Sequence, residues 1–297
     1  MNKIRQAIIV TGYNCNNNCL FCSISREKRA FNRDFPEIAN DLKLQYSCGC
    51  RAVEFIGGEV TIRNDFLSLI RTARKLGYRY ISLETNGRMF SDPTFVRRSV
   101  SAGLTHVLFS IHGHNDAIHD ALTRSPGSYA QAMKGVRNTV KFKKVVVLSN
   151  YVINKLNFRF VDEYLDAMRV YRIDTFHFSF VNPQGNALNN ASKIIPRISD
   201  VNTCLLDAID RHKGMRIKIL NIPPCLLGLR TQQILNSHDK CQRYISSESQ
   251  KLLSMRTELV NLKHKPAKCQ KCVFFDNCDG IWKKYFYMYG SDELRPS

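Results

Sequence analysis

Residues 12–22 read GYNCNNNCLFC and place Cys15, Cys19 and Cys22 in a C-x3-C-x2-C spacing. They directly follow the apolar run Gln6–Thr11, which predicts a strand. Three thiolates can ligate three irons of a cubane iron-sulfur cluster, which normally takes four cysteines, and the fourth iron then stays open to a small molecule. Asn and Gly favour a loop that wraps closely about such a cluster. Structural zinc is the alternative, although it usually takes four ligands.

Beyond this loop, short β-rich runs alternate with helical patterns. Strands are predicted at Gln6–Thr11, Ala52–Ile56, Tyr80–Glu84, Thr105–Ile111, Lys144–Ile153 and Thr175–Val181, and helices at Pro36–Tyr46, Asp65–Leu76, Pro93–Ala102, Ser128–Val140, Phe158–Tyr171 and Ser199–His212. Such alternation implies a parallel sheet with helices outside it. Because these units are fewer than the eight of a closed barrel, we predict an α/β fold, a partial (β/α)6 TIM-type barrel. Its chemistry should lie at the C-terminal ends of the strands.

The pattern changes near the end of this series. We predict that residues 1–213 form the barrel and that residues 214–297 form a small C-terminal domain. The second region contains a short apolar run, Met215–Leu220, and an aromatic helix-like segment, Trp282–Tyr289. A domain with so little hydrophobic core usually needs a further source of stability, and a metal site is the obvious candidate.

Composition narrows the protein class. The chain has 297 residues, 44% of them hydrophobic, and contains no apolar run near the ~20 residues that span a bilayer. We expect no membrane segment, no signal peptide and a cytoplasmic location. The 11 cysteines fall mostly into two clusters, which in a reducing compartment indicates metal binding.

The formal net charge of +19 is spread along the chain. Such a charge attracts phosphates, acidic peptides or nucleic acid. The alternative is an ordinary lysine-rich surface. No basic stripe with interleaved aromatic residues stands out, so nucleic acid is the less favoured partner.

The cysteine triplet, with Phe21 before its last cysteine, resembles the signature of the radical S-adenosylmethionine (SAM) superfamily. Gly57-Gly58-Glu59 follows the second predicted strand and resembles the family's GGE motif, which binds the SAM amino group. Two glycines let backbone approach a ligand, and a carboxylate pairs with an ammonium. Residues 84–87 (ETNG) end the third predicted strand and resemble the family's TNG turn.

The resemblance implies further SAM contacts along the barrel. It assigns Thr85 and Asn86 to the TNG turn, Ser110 to the SAM ribose or methionine, and Arg124 to the SAM carboxylate. Asn154, after the fifth strand, lies where adenine and ribose contacts are usual. The alternatives are that Ser110 and Asn154 cap helices or strand ends, and that Arg124 is one of the 44 basic residues of the surface.

The C-terminal cysteines Cys269, Cys272 and Cys278 form a C-x2-C-x5-C run. This run resembles SPASM and twitch domains, the C-terminal extensions of many radical SAM enzymes, which carry auxiliary 4Fe-4S clusters. A full SPASM pattern would have a cysteine where this chain has Trp282. A single-cluster, twitch-like domain therefore fits better.

The fourth ligand of this auxiliary cluster is expected to be Cys225, with Cys241 as the alternative. A structural zinc site built from the same cysteines is the competing interpretation. The upstream resemblance to a radical SAM barrel favours iron and sulfur.

The resemblance implies an enzyme whose SAM-binding 4Fe-4S cluster takes an electron from an external reductant, a flavodoxin or ferredoxin. SAM is then cleaved to methionine and a 5′-deoxyadenosyl radical, which abstracts hydrogen from the substrate. The leading expectation is maturation of a ribosomal peptide by crosslinking, epimerisation or oxidation, or action on a small sugar or nucleotide metabolite. The basic charge suits an acidic or phosphorylated substrate. Modification of RNA is an alternative, and a non-catalytic iron-sulfur carrier is a further one.

Overall fold

The computed structural model describes residues 4–228, 241–246, 253–254 and 261–297. The strands of its main sheet are β1 (Ile4–Val10), β2 (Ala52–Ile56), β3 (Tyr80–Thr85), β4 (His106–Ser110), β5 (Val146–Ile153), β6 (Thr175–Phe180), β7 (Ile217–Leu220), β8 (Cys241–Ser246) and β9 (Leu253–Ser254). They are ordered β7-β6-β5-β4-β3-β2-β1-β8-β9. All neighbours from β7 to β8 pair in parallel, and only β9 runs antiparallel. The curled parallel sheet confirms the predicted partial barrel.

Helices connect the strands and cover the outer face of the sheet. They are α1 (Phe35–Ser47), α2 (Phe66–Leu76), α3 (Pro93–Ala102), α4 (Asp116–Thr123), α5 (Ser128–Thr139), α6 (Val161–Met168), α7 (Gly185–Asn189), α8 (Ala191–Ile194), α9 (Ile198–Arg211) and α10 (Lys283–Tyr289). Near the C-terminus, β10 (Lys263–His264) pairs antiparallel with β11 (Ile281–Trp282). Within the described residues, no helix is both long and apolar enough to cross a membrane.

Local chemistry explains where the helices begin and end. Helix α1 starts with a capping box, in which the Asp34 side chain accepts from the backbone N–H of Glu37 and the Glu37 side chain accepts from that of Asp34. Helix α2 ends at Gly77, whose φ of 101° is a left-handed conformation that glycine adopts without steric cost. These signals lie in the sequence, which is why most predicted boundaries fall within one or two residues of the observed ones.

Side chains alternate between the two faces of the sheet. The outward face packs against the helices and is apolar, with Val53, Phe55, Ile81 and Leu83 all completely buried. The inward face surrounds the lumen of the half-barrel and is more polar. Its residues in the middle of the barrel include Gln6, Glu54, Ser82, Glu84, His177, Lys218 and Arg243.

Strands β7 and β8 belong to the main sheet although they lie in the range predicted for the C-terminal domain. Strand β8 pairs with β1 over six residues, from Ile4↔Cys241 to Ile9↔Ser246. Helix α4 was absent from the predicted series. Its start is capped by Asn115, whose side chain accepts from the backbone N–H of Ile118 at 3.0 Å.

Candidate active site

The loop that follows β1 presents Cys15, Cys19 and Cys22, all partly exposed. The Asn17 backbone N–H donates to Cys15 Sγ at 3.4 Å, and that of Ile24 donates to Cys22 Sγ at the same distance. Burial, reinforced by the negative charge of neighbouring groups, raises the pKa of Cys15 to about 11. Burial also raises the pKa of the Cys19 thiol, so both of these thiols resist deprotonation. Metal ligation requires their deprotonation, which bound iron would favour by its positive charge.

The spacing of the cysteine sulfurs discriminates between zinc and a larger cluster. A tetrahedral zinc site with Zn–S bonds of about 2.3 Å holds its sulfurs about 3.8 Å apart. Among the described residues, no three cysteine sulfurs lie within 4.8 Å of one another. A cubane separates its ligand sulfurs further because the irons lie between them. The described residues therefore hold no cysteine group with the sulfur spacing of a zinc ion, and the all-thiolate donor set is the one that iron-sulfur clusters take.

Hydrogen bonds hold the cysteine loop in place from two sides. Arg29 donates to the Asn17 carbonyl and Arg88 to the Asn17 side chain, each at 2.9 Å. The backbone N–H groups of Asn18 and Leu20 donate to carbonyls in the last turn of α4, both at 2.9 Å. These contacts fix the position of the loop, and helix α4 contributes to this support.

The two glycines that follow β2 pack directly under the cysteine loop. The Gly58 N–H donates to the Gly12 carbonyl and the Glu59 N–H to the Asn14 carbonyl, both at 2.8 Å. A Cβ atom on Gly57 would lie 2.2 Å from the Gly12 carbonyl oxygen, and one on Gly58 would lie 2.1 Å from that of Asn14. Glycine is required at both positions because any side chain would separate the two loops.

The Glu59 carboxylate joins the loop after β2 to the turn after β3. Its Oε1 accepts from Thr61 and, at 2.7 Å, from the Thr85 hydroxyl, while Oε2 accepts from the Asn86 N–H at 2.6 Å. Burial raises the pKa of Glu59, and these hydrogen bonds oppose the rise. A carboxylate oxygen offers two lone pairs, so Oε2 keeps one direction free for a further donor such as an ammonium.

The TNG turn approaches the first cysteine of the triplet. Asn86 Nδ2 donates to the Asn16 side chain at 2.7 Å and lies 4.0 Å from Cys15 Sγ. Thr85 and Asn86 are both buried. The structure therefore brings the cysteine loop, the GGE motif and the TNG turn together at one end of the barrel, as the sequence predicts.

The other predicted SAM contacts occupy varied environments. Ser110 is the last residue of β4 and is partly buried on the lumen face. Arg124 is exposed and ends α4 in a left-handed conformation (φ 54°), directly after a residue whose carbonyl accepts from the cysteine loop. Asn154 is completely buried, and its side chain bonds to Val152 O and Leu156 N within its own turn. The Asn154 side chain therefore organises this turn as the structure stands.

A second set of contacts to the cysteine loop comes from the segment after β6. The Asn186 side chain donates to the Cys19 carbonyl at 3.2 Å, and the Ala187 N–H donates to the Cys22 carbonyl at 3.1 Å. A Cβ on Gly185 would meet the Ser23 carbonyl at 2.5 Å. The NPQG run at residues 182–185 marks this loop in the sequence, but its contact with the cysteine loop depends on how the barrel curls.

The C-terminal cysteines meet in a second place. Cys225, Cys269, Cys272 and Cys278 line one small cavity, together with Lys265 and several apolar side chains. Burial raises the pKa of both Cys225 and Cys278. The alternative ligand Cys241 starts β8, but its side chain lies outside the described part of the chain.

Comparison with known proteins is consistent with this geometry. The sequence profile of the radical SAM superfamily matches residues 9–168, more than half of the chain. A "Probable GTP 3',8-cyclase" of Saccharolobus islandicus (strain M.14.25 / Kamchatka #1) is 25% identical over 172 residues, 58% of this chain and 55% of that protein. This chain therefore spans about half the length of the curated relatives that it matches.

Two solved structures share the fold across nearly the whole chain. Streptococcus suis SuiB bound to the precursor peptide SuiA has a TM-score of 0.68 at 13% identity, covering 100% of this chain and 76% of SuiB. Native anSMEcpe with bound AdoMet and Kp18Cys peptide has a TM-score of 0.66 at 15% identity, covering 99% of this chain and 93% of that one. At such identities the likeness establishes the fold alone.

Proposed function

Because this chain belongs to the radical SAM superfamily, we propose that it is a peptide-modifying radical SAM enzyme with one auxiliary 4Fe-4S cluster. The observation that carries the proposal is the convergence of four C-terminal cysteines on one cavity of a chain whose cysteine loop, GGE motif and TNG turn meet at one end of the barrel. A second cluster would accept the electron that a substrate radical gives up when it becomes an oxidised product.

The residues have distinct roles at the first site. Cys15, Cys19 and Cys22 would hold the SAM-binding cluster, which when bound supplies the electron that cleaves SAM to methionine and a 5′-deoxyadenosyl radical. Gly57 would support the cysteine loop by its close backbone approach to Gly12, and Glu59 Oε2 is available to the SAM amino group. The walls of the barrel would orient the substrate in the lumen.

The auxiliary cluster is assigned to Cys225, Cys269, Cys272 and Cys278. The test is an iron count on a variant in which Cys15, Cys19 and Cys22 are all changed to Ala, after anaerobic reconstitution. About four irons per chain should remain, as expected for one cubane with four cysteine ligands. Zinc in place of iron in this variant would refute the auxiliary cluster.

A peptide substrate is supported by two observations. SuiB and anSMEcpe, which share the fold through the C-terminal region, were solved with peptides bound. The net charge of +19 favours association with an acidic peptide, an attraction that salt weakens. Mass spectrometry of acidic peptides incubated with the reduced enzyme and SAM tests this assignment. We expect product masses that differ from the substrate, and none without SAM.

A nucleotide substrate is the second candidate, because the curated relatives are named GTP 3',8-cyclases. The same basic charge would attract a triphosphate. Adding GTP to the reduced enzyme separates the two candidates. Consumption of GTP together with SAM would favour the nucleotide, whereas no consumption of GTP would favour the peptide.

A further inference from the structure

The lumen of the barrel contains charges that the SAM site does not use. Glu54 on β2 and Glu84 on β3 point into it from the middle of the sheet. Lys218 on β7 points into it from the strand at one edge of the sheet, and Arg243 on β8 from the strand beside β1. Carboxylates and cations therefore share the lumen.

Glu54 is the better compensated of the two carboxylates. The Gln6 side chain donates to its Oε2 at 3.2 Å. Burial raises the pKa of Glu54, and the positive charges of Arg243 and Lys218 oppose that rise. Glu54 is thus satisfied by groups of the chain itself.

Glu84 has no such partner. Among the described residues, no side chain forms an ion pair or a hydrogen bond with its carboxylate. The side chain is exposed to the open lumen, although the barrel walls surround it on the other sides. Burial and then the charge of Glu54 raise the pKa of Glu84 to about 7, and Arg243 only partly opposes them. The carboxylate thus feels the charge of Arg243 but has no side-chain hydrogen bond or ion pair among the described residues.

Glu84 also lies close to the reacting end of the lumen. It immediately precedes Thr85 and Asn86, which contact Glu59 and approach Cys15. A group bound at Glu84 would therefore lie on the lumen side of the SAM site. A carboxylate that faces the lumen and has no side-chain partner can accept charge-assisted hydrogen bonds from a cation, which are stronger than those between neutral groups.

We propose that Glu84, with Glu54 beside it, binds a cationic group of the substrate, a primary ammonium or a guanidinium, inside the barrel. The assignment rests on the proposed function and deepens it. On a peptide, the cation is a lysine or arginine side chain, which is long and slender enough to enter the lumen. The flanking residues of that peptide are acidic, to suit the basic surface of the enzyme.

The test uses n-butylammonium as a probe for a lysine side chain and n-butanol as its neutral counterpart. Binding is measured by calorimetry on the reconstituted protein with SAM but without reductant, so no turnover occurs. We expect n-butylammonium to bind more tightly than n-butanol, and Glu84→Gln to weaken n-butylammonium binding about tenfold or more, as for loss of a charged hydrogen bond. Glu84→Asp should keep most of the affinity.

Glu163→Gln is the matched control, because Glu163 is an exposed carboxylate on α6. It should bind n-butylammonium as the wild type does. Equal affinity in wild type and Glu84→Gln, or no preference for the cation over n-butanol, would overturn the assignment. Reductive SAM cleavage by the wild type is measured separately: a protein that cleaves SAM but does not bind the cation refutes only the lumen site.

Discussion

Gly57→Ala is expected to impair the SAM site through one atomic contact. The new Cβ would lie 2.2 Å from the Gly12 carbonyl oxygen, so the two loops must separate by about 0.8 Å to reach 3.0 Å, the shortest contact that real Cβ atoms show. Backbone rather than a flexible side chain is in the way, and the cysteine loop must therefore shift. A misplacement of about 1 Å can lower a reaction rate on the order of 10²-fold.

The matched control is Gly214→Ala. Gly214 has a φ of 111°, comparable to the 132° of Gly57, but a Cβ there meets nothing within 4 Å. Both substitutions carry left-handed strain of roughly 1–2 kcal/mol, and only Gly57→Ala adds overpacking of about 1–3 kcal/mol. The assays are urea unfolding and the rate of 5′-deoxyadenosine release from SAM. Rates within twofold of each other in the two variants would refute the requirement for close packing under the cysteine loop.

Two predictions concern stability. Burial holds the pKa of His119 near 4, below its ordinary value near 6.5, so the unfolded state takes up the proton first as pH falls. As pH falls from 6.5 to 4, His119 therefore lowers the free energy of unfolding by about 3 kcal/mol in total, and above pH 6.5 it has no such effect. In urea titrations, the free energy of unfolding of His119→Gln should fall less steeply over this range than that of the wild type. Equal dependence on pH in the two proteins would contradict this. Arg33 and Asp41 form a nearly fully buried ion pair at 2.7 Å. Asp41→Asn should lower the free energy of unfolding by about 3–5 kcal/mol, because it leaves Arg33 unpaired. Asp166 is exposed, so Asp166→Asn should lower it by about 1 kcal/mol or less. Similar urea midpoints for the two variants would refute the contrast.

Much of the barrel was predictable because its signals are local. The cysteine loop follows β1, the GGE motif follows β2 and the TNG turn ends β3, so parallel pairing alone brings them to one edge. Alternation along β3 also places Glu84 on the face opposite the core residues Ile81 and Leu83. These features depend on spacing that can be counted in the sequence.

The features that sequence reasoning missed depend on long-range packing. Strand β8 joins the sheet beside β1, although β1 lies more than 230 residues earlier in the chain. The sequence around β8 does not have the strand-helix pattern that predicted the other strands. The contacts of Asn186 and Ala187 with the cysteine loop arise only when the sheet curls. The shared charges of the lumen likewise require that β8 joins the sheet beside β1 and that the sheet curls to bring Lys218 on β7 toward Glu54 on β2. Helix α4 was missed for a different reason. Asn115 is a capping signal, but the helix has only eight residues, too few for a clear helical pattern.

The most direct test of the account is whether the reduced protein cleaves SAM. Anaerobically reconstituted protein is mixed with SAM and dithionite, and 5′-deoxyadenosine is quantified by liquid chromatography. The account predicts steady release by the wild type and none by the variant with Cys15, Cys19 and Cys22 changed to Ala. Iron-loaded wild-type protein that releases no more 5′-deoxyadenosine than this variant would contradict the central claim that the cysteine loop supports SAM cleavage.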